Sequence, residues 1–158
     1  MYVTPDIVTL AKPIAAGLPM GMTLVGKKTT GVLQPSDHGS TFAGGPMACR
    51  AALVFLTELE EHGLQDHVET VGGHLTNALL GLAKISDAVV EIRGRGLWVG
   101  IELHEAAGPA RRYCEQLLQE GVLCKETHDR VIRLAPPLVI TIDEIDWAFE
   151  RLEKVLTT

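Results

Sequence analysis

The chain has 158 residues, a formal net charge of −6 at pH 7 and a hydrophobic fraction of 46%, which suffices for one ordinary domain with a sizeable core. Its acidic balance and scattered Lys and Arg argue against nucleic acids or anionic membranes as partners. Three irregularly spaced cysteines form no disulfide framework or zinc motif, and no apolar segment is long enough to span a membrane. No secretory signal is evident either, so a cytoplasmic protein is expected. Since the histidines form no H-x-x-x-H pair, no metal site is expected.

Apolar runs alternate with longer amphipathic stretches, which predicts mixed α and β structure. Buried strands are predicted at residues 7–11 and 22–25, as part of an open parallel sheet that needs further βα units. A helix is predicted from Pro46 to about residue 62, with Gly63 as its stop signal. A second helix follows from Leu64 to about residue 85, despite the Gly-Gly pair at 72–73.

The remaining elements are predicted to be short. Strands are expected at residues 89–92, 97–103, 122–124 and 131–134, with one helix near 109–120 and a last helix that begins at Thr141 or Asp143. The glycine-rich run 94–100 misses the G-x-G-x-x-G dinucleotide spacing by one residue and leads into a strand, so it is interpreted as a hairpin-like turn. A domain boundary is placed within residues 61–64, where one amphipathic pattern ends and another begins.

Lys12 ends the apolar run that starts at Ile7 and opens a turn of small residues, 13–21. An amine at the end of a strand, among Gly and Ala and without an adjacent carboxylate in sequence, can be desolvated enough to attack an aldehyde and form a Schiff base. On position alone, a surface lysine whose stem lies on apolar neighbours is the more common case.

Two further positions suit anion binding. Ser40 and Thr41 precede a Gly-Gly-Pro turn, so hydroxyl and backbone N–H groups can converge on an anion there; the alternative is a Ser/Thr turn that caps the helix at Pro46. Arg133 lies among apolar neighbours, where an unpaired guanidinium is costly to bury and a planar fork suits a carboxylate. The alternative is a strand arginine that points to solvent, and His128 lies close to it in sequence.

The segment from Pro5 to Gly21 closely resembles the pyridoxal-phosphate lysine segment of the class III (ω-amino acid) aminotransferases. The segments 38–49 and 127–140 resemble two further signatures of that family, in the expected order. Within the family, these sequence segments most resemble those of the ornithine and N-acetylornithine aminotransferases, and the resemblance covers essentially the whole chain. One departure is Gly45, where the family commonly has Asn, so the local turn is expected to differ.

The resemblance implies the α/β fold of the fold-type I PLP-dependent transferases. Residues 1–62 then correspond to the carboxy-terminal part of the large PLP-binding domain, and residues 63–158 to the small α+β carboxy-terminal domain. The chain is therefore expected to be the last part of a longer protein. It lacks the family's phosphate-cup turn, its ring-stacking aromatic residue and the Asp that pairs with the pyridine nitrogen, so little activity is expected from this chain alone.

The resemblance also implies roles for the candidate residues. Lys12 would hold pyridoxal 5'-phosphate as a Schiff base and shuttle the proton, while Thr41, helped by Ser40, would bind the cofactor phosphate of the neighbouring subunit in a homodimer. Arg133 would bind the carboxylate of the amino acid or 2-oxo acid. The implied reaction moves the terminal amino group of ornithine or N-acetylornithine to 2-oxoglutarate, in arginine, ornithine and proline metabolism.

Two alternatives remain open. One is another class III ω-aminotransferase, such as one that acts on 4-aminobutyrate. The other is a non-catalytic dimerisation fragment whose helices bury an apolar face against a partner.

Overall fold

The computed structural model describes residues 3–157. The chain divides into two compact units, Met1–His62 and Gly63–Thr158. The first unit holds a two-stranded hairpin, a short 3-10 helix and one long helix, and the second holds a four-stranded sheet with three long helices. Among the helices of the described residues, none combines the length and the apolar character that crossing a membrane requires.

The hairpin of the first unit consists of β1 (Ile7–Leu10) and β2 (Met22–Val25), which pair antiparallel. The strand positions agree with the prediction, but the expected buried parallel sheet is wrong. Ile7, Leu24 and Val25 are about half exposed, because no other strand of residues 3–157 joins this sheet and covers it. The segment between the strands reverses the chain through a 3-10 helix at Lys12–Ala15.

Helix α1 (Pro46–Glu61) begins with Pro46 in its first turn, as predicted. It packs against the 3-10 helix, and the buried residues of the two elements are Ile14, Ala15 and Ala52. The helix ends at His62, and Gly63 follows with a left-handed φ of 60°. The sequence therefore located both ends of this helix.

The sheet of the second unit has the order β3-β4-β6-β5 and every pairing in it is antiparallel. Its strands are β3 (Val89–Arg95), β4 (Trp98–Leu103), β5 (Lys125–Thr127) and β6 (Val131–Leu134). Arg95 pairs with Trp98 across the turn, which confirms the predicted hairpin. The strand expected at residues 122–124 is wrong, since Val122 N–H bonds to the carbonyl of Leu117 and closes the end of the preceding helix.

Three helices cover one face of this sheet: α2 (Leu64–Leu82), α3 (Ala110–Gln119) and α4 (Ile142–Leu156). Alternation along the strands sends one set of side chains into this core and the other set to the opposite face, here called the open face. The most buried large side chains of the core come from all three helices and the two central strands: Leu79, Leu82, Val99, Ile101, Leu103, Leu117, Ile132, Ile145 and Leu152.

Of the two candidate N-caps for the last helix, the structure selects Thr141. Its hydroxyl accepts a hydrogen bond from the Glu144 N–H, and the Glu144 carboxylate accepts one from the Thr141 N–H at 2.9 Å. This reciprocal capping box satisfies two backbone donors that the helix start would otherwise leave unpaired.

Candidate functional site

Lys12 is the first residue of the 3-10 helix that follows β1, and its backbone is left-handed with φ at 56°. Such a conformation costs a non-glycine residue of this kind about 1 to 3 kcal/mol, and it clusters at functional sites. Two other residues of this 3-10 helix, Ile14 and Ala15, are buried and anchor it in the first unit. Backbone strain and a rigid support therefore coincide at the candidate nucleophile.

The Lys12 side chain is exposed. The expectation that neighbouring Gly and Ala desolvate its amine is therefore not met by the described residues of this chain, because small side chains do not reach high enough to cover a lysine stem. Among those residues, no carboxylate lies within ion-pair distance of its Nζ. The amine is accessible for reaction from the outside.

Ser40 and Thr41 lie in an exposed turn before α1. The turn is closed by hydrogen bonds from Ala43 N–H to the Ser40 carbonyl and from Gly45 N–H to the Phe42 carbonyl, both at 3.3 Å. The N-cap of α1 is Gly45, and no side chain caps it. The capping alternative for the two hydroxyls is therefore wrong.

Ser40 lines a cavity of about 430 Å³ within the first unit, here called the Ser40 cavity. His38 and Phe42, which the sequence did not single out for this role, line it as well, whereas Lys12 and Thr41 lie outside the lining set. The remaining lining residues are Pro19, Met20, Gly21, Ala43, Gly44, Gly45, Ala48 and Cys49.

Arg133 lies on β6 between two buried residues, Ile132 and Leu134, and its own side chain is exposed on the open face. Strand alternation points the guanidinium away from the core, so the cost of burying it unpaired does not arise. It stands in register with Gly100 of β4 and Lys125 of β5.

The open face forms a cavity of about 440 Å³ beside Arg133, here called the Arg133 cavity. Besides Arg133, its lining residues are Arg93, Gly94, Arg95, Trp98, Val99, Gly100, Thr127, His128 and Val131. Trp98 is 67% exposed and stands as an apolar wall. One sequence feature indicated that Trp98 faces outward: it is an aromatic residue in a strand of alternating pattern. Its neighbour Val99 is buried in the structure.

The arginines that line this cavity differ in their ion pairs. Arg93 binds the carboxylates of Glu102 and Glu91, and these bonds raise the pKa of Arg93. Within residues 3–157, no carboxylate lies within ion-pair distance of Arg133. Its fork is therefore available to an external carboxylate.

His128 borders the same cavity from the tight turn between β5 and β6. His128 and Asp129 are both left-handed, with φ at 51° and 61°. The turn is tied to the rest of the unit by the Ala110 N–H, which donates to the Asp129 carbonyl at 2.8 Å. His128 and Arg133, which are close in sequence, therefore also line the same cavity.

The four predicted site residues divide between the units: Lys12, Ser40 and Thr41 lie in the first, and Arg133 lies in the second. The first unit therefore carries the candidate nucleophile and the two hydroxyls. The second carries the candidate residue for binding a carboxylate.

Known proteins resemble the chain over nearly its full length. It is 45% identical to the ornithine aminotransferase of Halalkalibacterium halodurans over 98% of this chain and 38% of that protein. The crystal structure of acetylornithine aminotransferase from Elizabethkingia anophelis matches with a TM-score of 0.89 and 32% identity, over 98% of this chain and 39% of the other. A PLP-bound amine transaminase from an uncultivated Pseudomonas species matches with a TM-score of 0.87 and 33% identity, over 98% and 38%.

These structural matches confirm the predicted fold-type I PLP-dependent transferase fold. The chain spans 38% of the length of the curated relative named above. The family model for class-III aminotransferases matches residues 1–156. The chain therefore belongs to the class-III aminotransferase family.

Proposed function

We propose that the chain is the carboxy-terminal portion of a pyridoxal-phosphate-dependent aminotransferase that moves the terminal amino group of ornithine or N-acetylornithine to 2-oxoglutarate. The 45% identity to an ornithine aminotransferase and the match to an acetylornithine aminotransferase support this substrate class. Residues 1–62 then form the end of the large domain and residues 63–158 the small domain. The division of the chain at His62 and Gly63 supports this assignment.

Lys12 is the observation that carries the proposal. Its exposed amine stands on a strained left-handed backbone immediately after a strand. Pyridoxal phosphate, when bound, supplies an aldehyde that reacts with amines and an electron-poor ring that stabilises negative charge on the substrate carbon. Lys12 Nζ would be the nucleophile that holds the cofactor, and its amine would carry the proton to and from the substrate carbon.

Ser40 and Thr41 are the ligands proposed for the cofactor phosphate. Both are exposed, and neither hydroxyl is engaged as the cap of α1. Hydroxyl donors beside a glycine-rich turn suit a phosphate group. In a homodimer, Thr41 is proposed to serve the cofactor of the neighbouring subunit, so the site is complete only in the dimer.

Arg133 is proposed to bind the carboxylate of the amino acid or 2-oxo acid. Its fork borders the Arg133 cavity without a carboxylate partner in residues 3–157, and Gly100 beside it leaves room for a ligand. A bidentate pair of this kind fixes both the position and the orientation of a carboxylate.

Covalent trapping tests the role of Lys12. The purified chain is mixed with pyridoxal phosphate, reduced with borohydride and digested for mass spectrometry. We expect selective labelling of Lys12, loss of that label in Lys12→Ala, and its retention in the control Lys27→Ala, which removes another exposed lysine of the same unit. Equal labelling of all surface lysines would contradict the assignment.

A chimera tests the activity. The matching 38% of the Halalkalibacterium halodurans enzyme is replaced by this chain, and turnover is measured with ornithine, N-acetylornithine and 4-aminobutyrate. Turnover of one of the first two supports the proposal, turnover of 4-aminobutyrate alone supports another ω-aminotransferase, and a folded, PLP-binding chimera without turnover supports a non-catalytic fragment. Arg133→Lys should raise the KM for the 2-oxo acid by about 10- to 100-fold, because a charged hydrogen bond contributes about 1.5 to 3 kcal/mol. The control Arg50→Lys, at an exposed position of α1 outside the lining of the Arg133 cavity, should change it little.

A further inference from the structure

Two cysteines of the second unit lie together. Cys114 is buried on α3, and Cys124 is half-buried directly before β5. Helix α3 packs against β5, and each of the two thiols acts on the pKa of the other. Both border a cavity of about 520 Å³, here called the cysteine cavity, which opens beside Arg133.

We propose that Cys114 and Cys124 form a modification site at which an anionic low-molecular-weight disulfide, of the oxidised glutathione class, produces a reversible intramolecular disulfide. The argument for this site does not rest on the proposed aminotransferase function, although Arg133 borders its cavity. It pairs a half-buried thiol with a buried thiol that borders the same cavity.

The chemistry balances without any further reagent. The Cys124 thiolate attacks one sulfur of the external disulfide, which forms a mixed disulfide and releases one glutathione thiolate. The Cys114 thiolate then attacks the Cys124 sulfur, forms the Cys114–Cys124 bond and releases the second glutathione. The two cysteines are oxidised, one glutathione disulfide is reduced to two thiols, and the two cysteine protons pass to solvent or to the released thiolates.

Charge in the cysteine cavity favours an anionic reagent. Three cationic side chains line it, Arg111, Lys125 and Arg133, against two anionic ones, Glu115 and Glu126. Arg111 binds both carboxylates at 2.9 Å. The excess positive charge attracts the carboxylates of glutathione and disfavours a cationic disulfide.

The position of Cys124 gives the disulfide a structural consequence. The next residue, Lys125, begins β5 and pairs with Arg133 on β6. A Cys114–Cys124 bond therefore ties the start of β5 to α3, at the edge of the strand pair that carries Arg133. Ten peptide bonds separate the two cysteines along the chain, so the closed loop is short.

The reaction requires thiolates, which sets its pH dependence. Burial is the first cause that raises the pKa of both thiols, to about 12 for Cys124. Glu126 acts in the same direction on both, Glu115 adds to it at Cys114, and Arg111 opposes it there. Because the thiolate is the nucleophile, the rate should rise about tenfold per pH unit from pH 7 to 9.

The test exposes the whole chain to millimolar oxidised glutathione at pH 8.5, followed by peptide mapping. We expect a Cys114–Cys124 peptide pair about 2 Da lighter than the two thiol peptides together, its reversal by excess reduced glutathione, and a glutathione mixed disulfide on Cys124 in Cys114→Ser. The absence of the Cys114–Cys124 pair from the wild-type chain after equilibration would overturn the proposal, and so would a disulfide that uses Cys49 instead.

A reagent of opposite charge tests the cavity. The variant Cys114→Ser is treated separately with oxidised glutathione and with cystamine, a cationic disulfide. At each of Cys124 and Cys49, the rate with oxidised glutathione is divided by the rate with cystamine, and the two ratios are compared. We expect this ratio to be at least about threefold higher at Cys124 at low salt, with the difference reduced at high salt. Equal ratios would overturn the assignment of an anionic reagent.

Discussion

Gly100 lies directly opposite Arg133 in the antiparallel pairing of β4 with β6. Because glycine has no side chain, the floor of the Arg133 cavity is backbone at this point. A Cβ built on Gly100 would lie 3.3 Å from Cγ1 of Val131 and 3.9 Å from Cγ of Arg93. Position 100 therefore limits the depth of the cavity beside Arg133.

A large side chain at this position should block the cavity. In the chimera, Gly100→Leu should raise the KM for the 2-oxo acid by about tenfold or more, since a misplacement of the order of 1 Å has effects of this size. The control is Gly73→Ala, where a new Cβ meets nothing within 4 Å. An unchanged KM in a folded Gly100→Leu protein would contradict the proposed carboxylate site.

The adjacent glycines of α2 should respond in opposite directions to alanine. A Cβ on Gly72 would lie 2.5 Å from the carbonyl carbon of Gly96 in the β3–β4 turn, whereas Gly73 has open space. Gly72→Ala should therefore lower the free energy of unfolding by roughly 1 to 3 kcal/mol, or more if the turn cannot shift. Gly73→Ala should raise it by up to about 1 kcal/mol, because alanine is the better helix former.

Urea denaturation followed by tryptophan fluorescence measures these changes. Both tryptophans, Trp98 and Trp147, lie in the second unit, so the signal reports that unit. A stabilising Gly72→Ala would refute the close packing of α2 against the turn.

Two neighbouring leucines of α2 offer a second matched pair. Leu79 has no exposed surface, whereas Leu80 is 45% exposed. Leu79→Ala should lower the free energy of unfolding by about 2 to 5 kcal/mol, because it leaves a cavity in the core. Leu80→Ala should change it much less, by roughly 0.5 kcal/mol or below. Similar losses for both in the same urea experiment would be inconsistent with the described core.

The cap of α4 should be measurable in the same way. Thr141→Ala should lower the free energy of unfolding by about 1 kcal/mol, since it removes the hydroxyl that accepts the Glu144 N–H. Thr70→Ala is the control, because Thr70 is exposed within α2 and its hydroxyl donates to the carbonyl of Asp66 in the same helix. Equal effects of the two substitutions would show that capping contributes nothing specific.

Glu144 should give the last helix a pH dependence. The Thr141 N–H, and then its hydroxyl, lower the pKa of Glu144. A lowered folded-state pKa contributes stability above the unfolded pKa, and this stability is lost as the pH falls through the lowered value. The advantage of wild type over Glu144→Gln in urea midpoint should therefore be present at pH 7 and decrease below pH 4.5, the ordinary value. Glu69→Gln, on the surface of α2, should show no such pattern.

Sequence patterns located most of the second unit because its helices and strands obey strong local rules. The apolar spacing of α2 and the Gly-rich run at residues 94–100 indicated a helix and a hairpin, and both are present. The strand expected at residues 122–124 failed for a tertiary reason. Val122 closes the end of α3, and the pairing with β6 begins only at Lys125.

The sequence by itself determined the family, the candidate residues Lys12, Ser40, Thr41 and Arg133, and the ends of α1, because these depend on the order of residue types along the chain. Only the tertiary structure decided that Arg133 faces outward opposite Gly100 and that the two strands before Gly26 pair antiparallel. It also brought Cys114 and Cys124 to the border of one cavity. The physical reason is that pairing register and burial depend on residues distant in the chain, which no local pattern encodes.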